Sequence, residues 1–400
     1  MVMPMDKTVT SVPPPLGRAL RSQWLLREGS FLNHGSYGAC PRVVLDVQAR
    51  LRVELEQHPD AFMARVKPDG SERALREAAR PLAEFAGTVG ARMAFVESAT
   101  AGVQAVLNAL PLGPGDHVLL TDHQYNAVRL AVEMRCRDTG ATPVIVRIPL
   151  PTDADSIMER VLQAADQRVK LVLLDHITSP TALVFPVQQL ASELRRRGIP
   201  VLVDGAHAIG QVPLALDQLG ADWYVTNLHK WLYSPKGSAM LYASPGAAPL
   251  TRPVLTSHYI GMGFPDAFDY VGTRDYSGWL SAPRALAFLK ELGAERVWAW
   301  ESQLIARASN ALLSAGAKEI APPALSAAMR AFLLPQRRPA TDADAALVMR
   351  TLWDEERIQI RCARIGGGLL LRVCAQAYVD ADEMDRLGAA LARHGWPDRR

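Results

Sequence analysis

Between residues 72 and 245, short and almost uninterrupted apolar runs alternate with stretches in which apolar positions recur at helical spacing. The runs are Met93–Val96, His117–Thr121, Thr142–Ile148, Leu171–Asp175, Val201–Asp204, Trp223–Thr226 and Ala239–Tyr242. Runs this short that are apolar throughout predict strands buried on both faces. Asp153–Ala165 and Val187–Arg197 are among the helical patterns between them. Such alternation predicts an α/β fold, a mainly parallel sheet of about seven strands with helices on both sides.

The pattern changes beyond residue 280. A long helical stretch, Ala282–Leu313, leads into β-like runs at Met329–Leu334, Ile358–Cys362 and Leu369–Val373, with helices at Ala343–Trp353 and Ala381–Ala392. This reads as a small α+β C-terminal domain. The expected organisation is a flexible arm and short helix over 1–29, an N-terminal segment over 30–71, a large domain over 72–280 and the small domain over 281–400. Within the N-terminal segment, a glycine-punctuated loop from Phe31 to Gly38 precedes a helix from about Pro41 to Gln57.

Composition narrows the function. The chain has 400 residues, 49% of them hydrophobic, which is ample for buried cores. A net charge of +3 with no long basic run argues against a nucleic-acid partner. No stretch reaches the roughly 18 apolar residues that cross a bilayer, and the head of the chain has no apolar core of signal-peptide length, so no membrane partner and a cytoplasmic location are expected. Cys40, Cys136, Cys362 and Cys374 have no metal or disulfide spacing, which suits a reducing compartment. No metal site is expected either, because His117 and His123 lack a third ligand at a recognisable spacing.

Polar residues cluster where the apolar runs stop. Val201–Val203 ends in Asp204, and Trp223–Thr226 ends in Asn227, Leu228, His229 and Lys230. Open α/β sheets bind ligands at the carboxyl ends of their strands. An acid and an amine on one rim suit pyridoxal phosphate (PLP): the amine forms a Schiff base, and the carboxylate keeps the ring nitrogen protonated. Taken alone, Asp204 reads more readily as a helix cap and Lys230 as a solvated loop residue. Glu97-Ser-Ala-Thr-Ala-Gly102 opens a helix after the first strand, where free N–H groups and a helix dipole of about 0.3–1 kcal/mol suit a phosphate; an ordinary N-cap fits the same residues. His123, His176, His207 and His229 all fall just beyond strand ends. Arg372 interrupts Leu369–Tyr378, and its guanidinium could clamp a carboxylate or pair with a surface acid.

Asp204-Gly-Ala-His207 followed by Asn227-Leu-His-Lys230 resembles the class V aminotransferase superfamily, PLP enzymes of fold type I. The similarity runs from about residue 30 to the C-terminus and is strongest to the branch containing isopenicillin N epimerase and related C–S lyases. The resemblance implies the PLP-dependent transferase fold, with Lys230 as the Schiff-base lysine and Asp204 at the ring nitrogen. It also implies His207 at the phenolic oxygen and Ala99, Thr100, Asn227 and His229 around the phosphate. Tyr125 is preferred over His123 as the ring stacked on the cofactor, and Thr178 or His176 would face it. Asn33, His34 and Arg372 would contact an amino-acid substrate, Arg372 through its carboxylate. Gly272 and Thr273 would reach the cofactor site of a second subunit, making a homodimer.

The implied reaction removes the α-proton of an amino acid and ends in epimerisation or β-elimination, with Tyr125 or His34 as a second acid. An aminotransferase with an oxo-acid acceptor is the alternative. Cysteine desulfurase chemistry needs a mobile cysteine well upstream of the carboxylate arginine, whereas Cys362 lies close before Arg372 in an expected strand. A non-catalytic interaction protein would have no need for Asp204, Lys230 and Arg372 together.

Overall fold

The computed structural model describes residues 14–395, so the start of the expected flexible arm lies outside the described residues. Strand β1 (Ser30–Phe31) lies in the N-terminal segment. The large sheet follows: β2 (Met93–Val96), β3 (His117–Thr121), β4 (Thr142–Val146), β5 (Val169–Asp175), β6 (Val201–Asp204), β7 (Trp223–Asn227) and β8 (Ala239–Ala243). Their spatial order is β2-β8-β7-β6-β5-β3-β4, and β8 alone runs antiparallel to its neighbours.

Alternate residues of these strands enter two separate cores. Phe95, Leu119, Val172, Leu174, Val203 and Tyr224 face one side, packed by Leu75 and Leu82, Leu190 and Leu194, and Leu286. Val96, Leu120, Leu173, Leu202 and Val225 face the other, packed by Val103 and Val106 from helix Ala99–Ala109 and Val128 and Val132 from helix Asn126–Thr139. Both faces of the inner strands are dry, so those strands carry little polar alternation and become polar where they leave the sheet, while the edge strand β4 is partly exposed. Burial of each large aliphatic side chain is worth about 1.5–3 kcal/mol.

The first core continues into the small sheet. There β9 (Lys318–Glu319), β10 (Met329–Leu333), β12 (Arg361–Ile365) and β13 (Gly368–Cys374) form an antiparallel sheet in the order β12-β13-β10-β9, while β11 (Ile358–Gln359) pairs with β1. The single helix expected over Ala282–Leu313 is two, Ala282–Leu292 and Ala294–Ser314. They break at Gly293, whose φ of 79° suits glycine and stops an α-helix. Helices Pro59–Val66 and Ala74–Phe85 were not anticipated; Pro81 inside the second obscures its helical pattern. No helix among the described residues is long and apolar enough to cross a membrane.

Trp24 ties the N-terminal segment to both halves. Its ring packs edge-on against Tyr233, Phe288 and Tyr378, and its Nε1 donates to the Ala39 carbonyl at 3.1 Å. Gly38 lies flat on the chain that follows β7: a Cβ there would sit 2.0 Å from the His229 carbonyl oxygen and 2.9 Å from Lys230 Cα.

Candidate active site

Ser98 and Thr100 follow β2, Tyr125 follows β3, Ile177 and Ser179 follow β5, Ala206 and His207 follow β6, and His229 and Lys230 follow β7. With Asp175, Asp204 and Asn227 at the strand ends, they line one cleft. Ser36 and Tyr37 close it from the N-terminal segment. Parallel strands bring these loops to a single rim, which is why residues far apart in sequence meet there.

The amine end of the cleft is tightly specified. Lys230 Nζ lies 3.0 Å from His207 Nε2, and Trp231 Nε1–H donates to His207 Nδ1 at 3.3 Å. Because Nδ1 accepts, the neutral ring carries its proton on Nε2 and offers it to the lysine. That arrangement suits a neutral amine. Burial, then the positive charge of Arg372, lower the Lys230 pKa to about 8. Burial likewise holds His207 well below the ordinary imidazole range.

The acid end holds two carboxyls. Asp204 and Asp175 are paired residues at the ends of adjacent strands and are 3% and 2% exposed. Asp204 Oδ1 accepts from the Ala206 backbone N–H at 3.0 Å. Gln124 Nε2 stands 3.3 Å from Asp175 Oδ1 and 3.5 Å from Asp204 Oδ2. Burial raises the pKa of both groups, and the negative charge of Asp204 raises Asp175 further.

At the third corner, the Ala99 N–H donates to Asn227 Oδ1 at 2.9 Å, and Ser98 Oγ accepts from the Ala101 N–H. Asn227 therefore anchors the start of the helix as well as lining the cleft. His229 donates from Nδ1 to the Ser238 carbonyl at 2.9 Å, and burial lowers its pKa to about 4, leaving Nε2 unprotonated.

The sequence-based expectations fare unevenly. Lys230, Asp204, His207, Asn227, His229, Ala99, Thr100 and Tyr125 all line the cleft. Tyr125 is 46% exposed, whereas buried His123 turns away, its Nε2 donating to the Ile148 carbonyl and its Nδ1 bonded to the Thr181 hydroxyl. Thr178 does not reach the cleft: its hydroxyl is engaged with Thr181 and with the Leu183 backbone N–H, stapling the loop after β5. His176 bonds the Tyr224 hydroxyl outside the cleft.

His34 does not line the cleft either. It is fully buried, donates from Nε2 to the Lys230 carbonyl at 2.9 Å and accepts from the Tyr378 hydroxyl at 2.8 Å. It has no ring nitrogen left for a substrate and instead fixes the lysine's backbone. Asn33 Oδ1 accepts from Ser36 and from Arg372 Nη2. Arg372 stands behind the cleft wall and donates to the Ser179 carbonyl at 2.6 Å and Ser36 Oγ at 2.9 Å; both residues line the cleft. It is 3% exposed, and among the described residues no carboxylate pairs with it and its Nε has no partner. Thr273 is exposed and does not line this cleft. Ser36, Tyr37, Gln124 and Ser179 were missed, since only the folded chain brings them to the rim; Asp175 carried a signal in ending a strand beside that of Asp204.

These residues fit PLP: an amine for its aldehyde, a buried acid for its ring nitrogen and a helix start for its phosphate. The unpartnered polar atoms Asp175 Oδ2, Gln124 Oε1 and Arg372 Nε cluster around the same cleft, as expected of a site built for a polar guest.

Comparisons with known proteins agree. Residues 68–379 match the family model Aminotransferase class-V. Isopenicillin N epimerase from Streptomyces clavuligerus is 33% identical, covering 90% of this chain and 93% of its own. Putative L-cysteine desulfhydrase 1 from Oryza sativa subsp. japonica is 34% identical over 80% of this chain and 70% of its own. The solved cystine C–S lyase C-DES, in complex with cysteine persulfide, superposes with a TM-score of 0.77 at 24% identity, covering 92% of this chain and 98% of that one.

Proposed function

The chain belongs to the class-V aminotransferase family and is a PLP-dependent enzyme, and from that premise we propose that it catalyses β-elimination on an α-amino acid bearing a sulfur leaving group. The observation that carries the choice is that Lys230 is the cleft-lining base whose pKa, about 8, lies near neutrality; burial keeps His207 and His229 unprotonated. One base that takes the α-proton and then passes it to a departing thiolate suffices for elimination. Epimerisation, the second reading, needs another acid, and the Tyr37 and Tyr125 hydroxyls on the cleft support it.

When bound, PLP supplies an electron sink for negative charge at the substrate Cα. The protein's own residues do the rest. Arg372, buried without an acid behind Ser36 and Ser179, would take the substrate carboxylate on its guanidinium fork once that carboxylate displaces the Ser179 carbonyl and Ser36 hydroxyl it now binds. His34 and Gly38 fix the backbone of Lys230, so its amine reaches one place. Asp204 provides the negative charge for the ring nitrogen. Cys362 is buried in β12 with its thiol pushed up to about 12, which tells against a persulfide-forming nucleophile.

We further infer a homodimer in which Thr273 reaches the partner's phosphate site. Exposed Val254, Leu255 and Met262 beside the loop that carries Thr273 support it, and unpaired thiols suit a reducing cytosol. The test is product analysis. With an S-substituted cysteine, the enzyme yields pyruvate, ammonia and a thiol, and Lys230→Ala loses both turnover and the borohydride-sensitive visible absorbance. Solvent deuterium incorporated at an inverted Cα without pyruvate would replace elimination by epimerisation.

A further inference from the structure

Asp175 is a buried acid for which the proposed chemistry has no use. It lines the cleft, is in register with Asp204, and points to the same face because paired residues of adjacent parallel strands share a side. Gln124 Nε2 touches both carboxyls, Asp175 Oδ2 has no hydrogen-bond partner, and no cation pairs with Asp175 among the described residues. The charged groups nearby are unevenly shared. Lys230 acts on Asp204, Tyr224 stands beneath it with its hydroxyl bonded to His176, and Asp204 is the charge that acts on Asp175.

Two buried carboxyls without a cation for each do not both ionise, since each negative charge raises the cost of the other. Asp204 has the backbone N–H of Ala206 and the lysine to stabilise its anion, whereas Asp175 has its own backbone N–H and no cation. We propose that Asp175 is a positioning residue, held as a neutral carboxylic acid beside ionised Asp204, so that the pair presents a single negative charge to the ring nitrogen and Gln124 spaces the two groups. This rests on the functional reading for its purpose but not for its test. The neutral acid limits how strongly Asp204 attracts the ring proton; a second anion would over-stabilise it. The burial that raises Asp175 is the same burial that makes an ionised pair untenable.

The test is difference infrared spectroscopy of the holoenzyme against Asp175→Asn at neutral pH, repeated after PLP is removed. The expected result is a protonated-carboxyl C=O stretch in the wild type, with and without PLP, that is missing from the variant. A second readout is the alkaline limb of the visible-band pH titration. Ionisation of Asp175 contributes to it, so in Asp175→Asn the limb moves by about one pH unit or disappears. Asp175→Glu, which can still be protonated, restores the infrared band and some of the limb. A wild type without the band, or an unchanged limb in a variant lacking it, overturns the proposal. A chain that shows the band yet binds no PLP would refute the functional reading while supporting the neutral acid.

Discussion

Two buried arginines sit on neighbouring strands of the small sheet and face opposite ways. Arg330 in β10 is paired across the sheet with Val373, and Arg372 in β13 with Ala331, so the two side chains leave on different faces. Arg330, 7% exposed, is fully engaged: it donates to Glu319 at 2.7 Å, to Ser309 Oγ and to the Ala321 carbonyl. Arg372 is buried more deeply, yet its partners are a backbone carbonyl, an amide oxygen and a hydroxyl. A desolvated guanidinium without an anion is costly to the fold, and such a cost persists where a ligand offsets it. The same residue type in the same sheet is thus paired with an acid on one face and left without one on the other, which is what the proposed carboxylate site draws on.

The comparison can be broken most directly at Arg372. Arg372→Ala should lower kcat/KM by about 100- to 1,000-fold, roughly 3–4 kcal/mol, while leaving the urea midpoint unchanged or higher because an uncompensated charge has gone. Arg372→Lys keeps the charge and loses the fork, so a loss of about 10- to 100-fold is expected in the same assay. Arg330→Ala should do the opposite, removing about 1–3 kcal/mol of unfolding free energy by denaturant titration with turnover within about twofold of wild type. If Arg330→Ala costs more turnover than Arg372→Ala, the assignment of the two faces is wrong.

The smallest effect concerns Lys230. Its pKa is lowered to about 8, first by burial and then by Arg372, so the amine is neutral above that pH and protonated below it. Recombination of PLP with the cofactor-free protein, followed by absorbance, should therefore accelerate as pH rises through about 8. Removing Arg372 removes a positive neighbour, and the midpoint should move to higher pH by a fraction of a unit. A shift to lower pH would mean that the two groups do not interact.

How legible all this was depends on what each residue's neighbours decide. The seven strands of the large sheet could be read because both faces are apolar, and Asp204, Asn227 and Lys230 stood out where the runs ended. Arg372 drew attention because one cation broke a strand that is otherwise apolar. Loop side chains were different. Thr178 and Ser179 are adjacent and both polar, but the Thr181 hydroxyl captures the first, leaving the second on the cleft. His34 looked like a substrate ligand until Tyr378, far along the chain, and the Lys230 carbonyl filled both of its nitrogens. Such pairings are tertiary, and no local pattern announces them.

The stretch from His34 to Gly38 grips the peptide of residues 229 and 230 from outside the large sheet, and Lys236 returns the grip by donating to the Gly38 carbonyl at 2.9 Å. That stretch is therefore a latch on the backbone of Lys230. A version trimmed to begin at Arg42 would retain every large-sheet strand and still hold its lysine loosely.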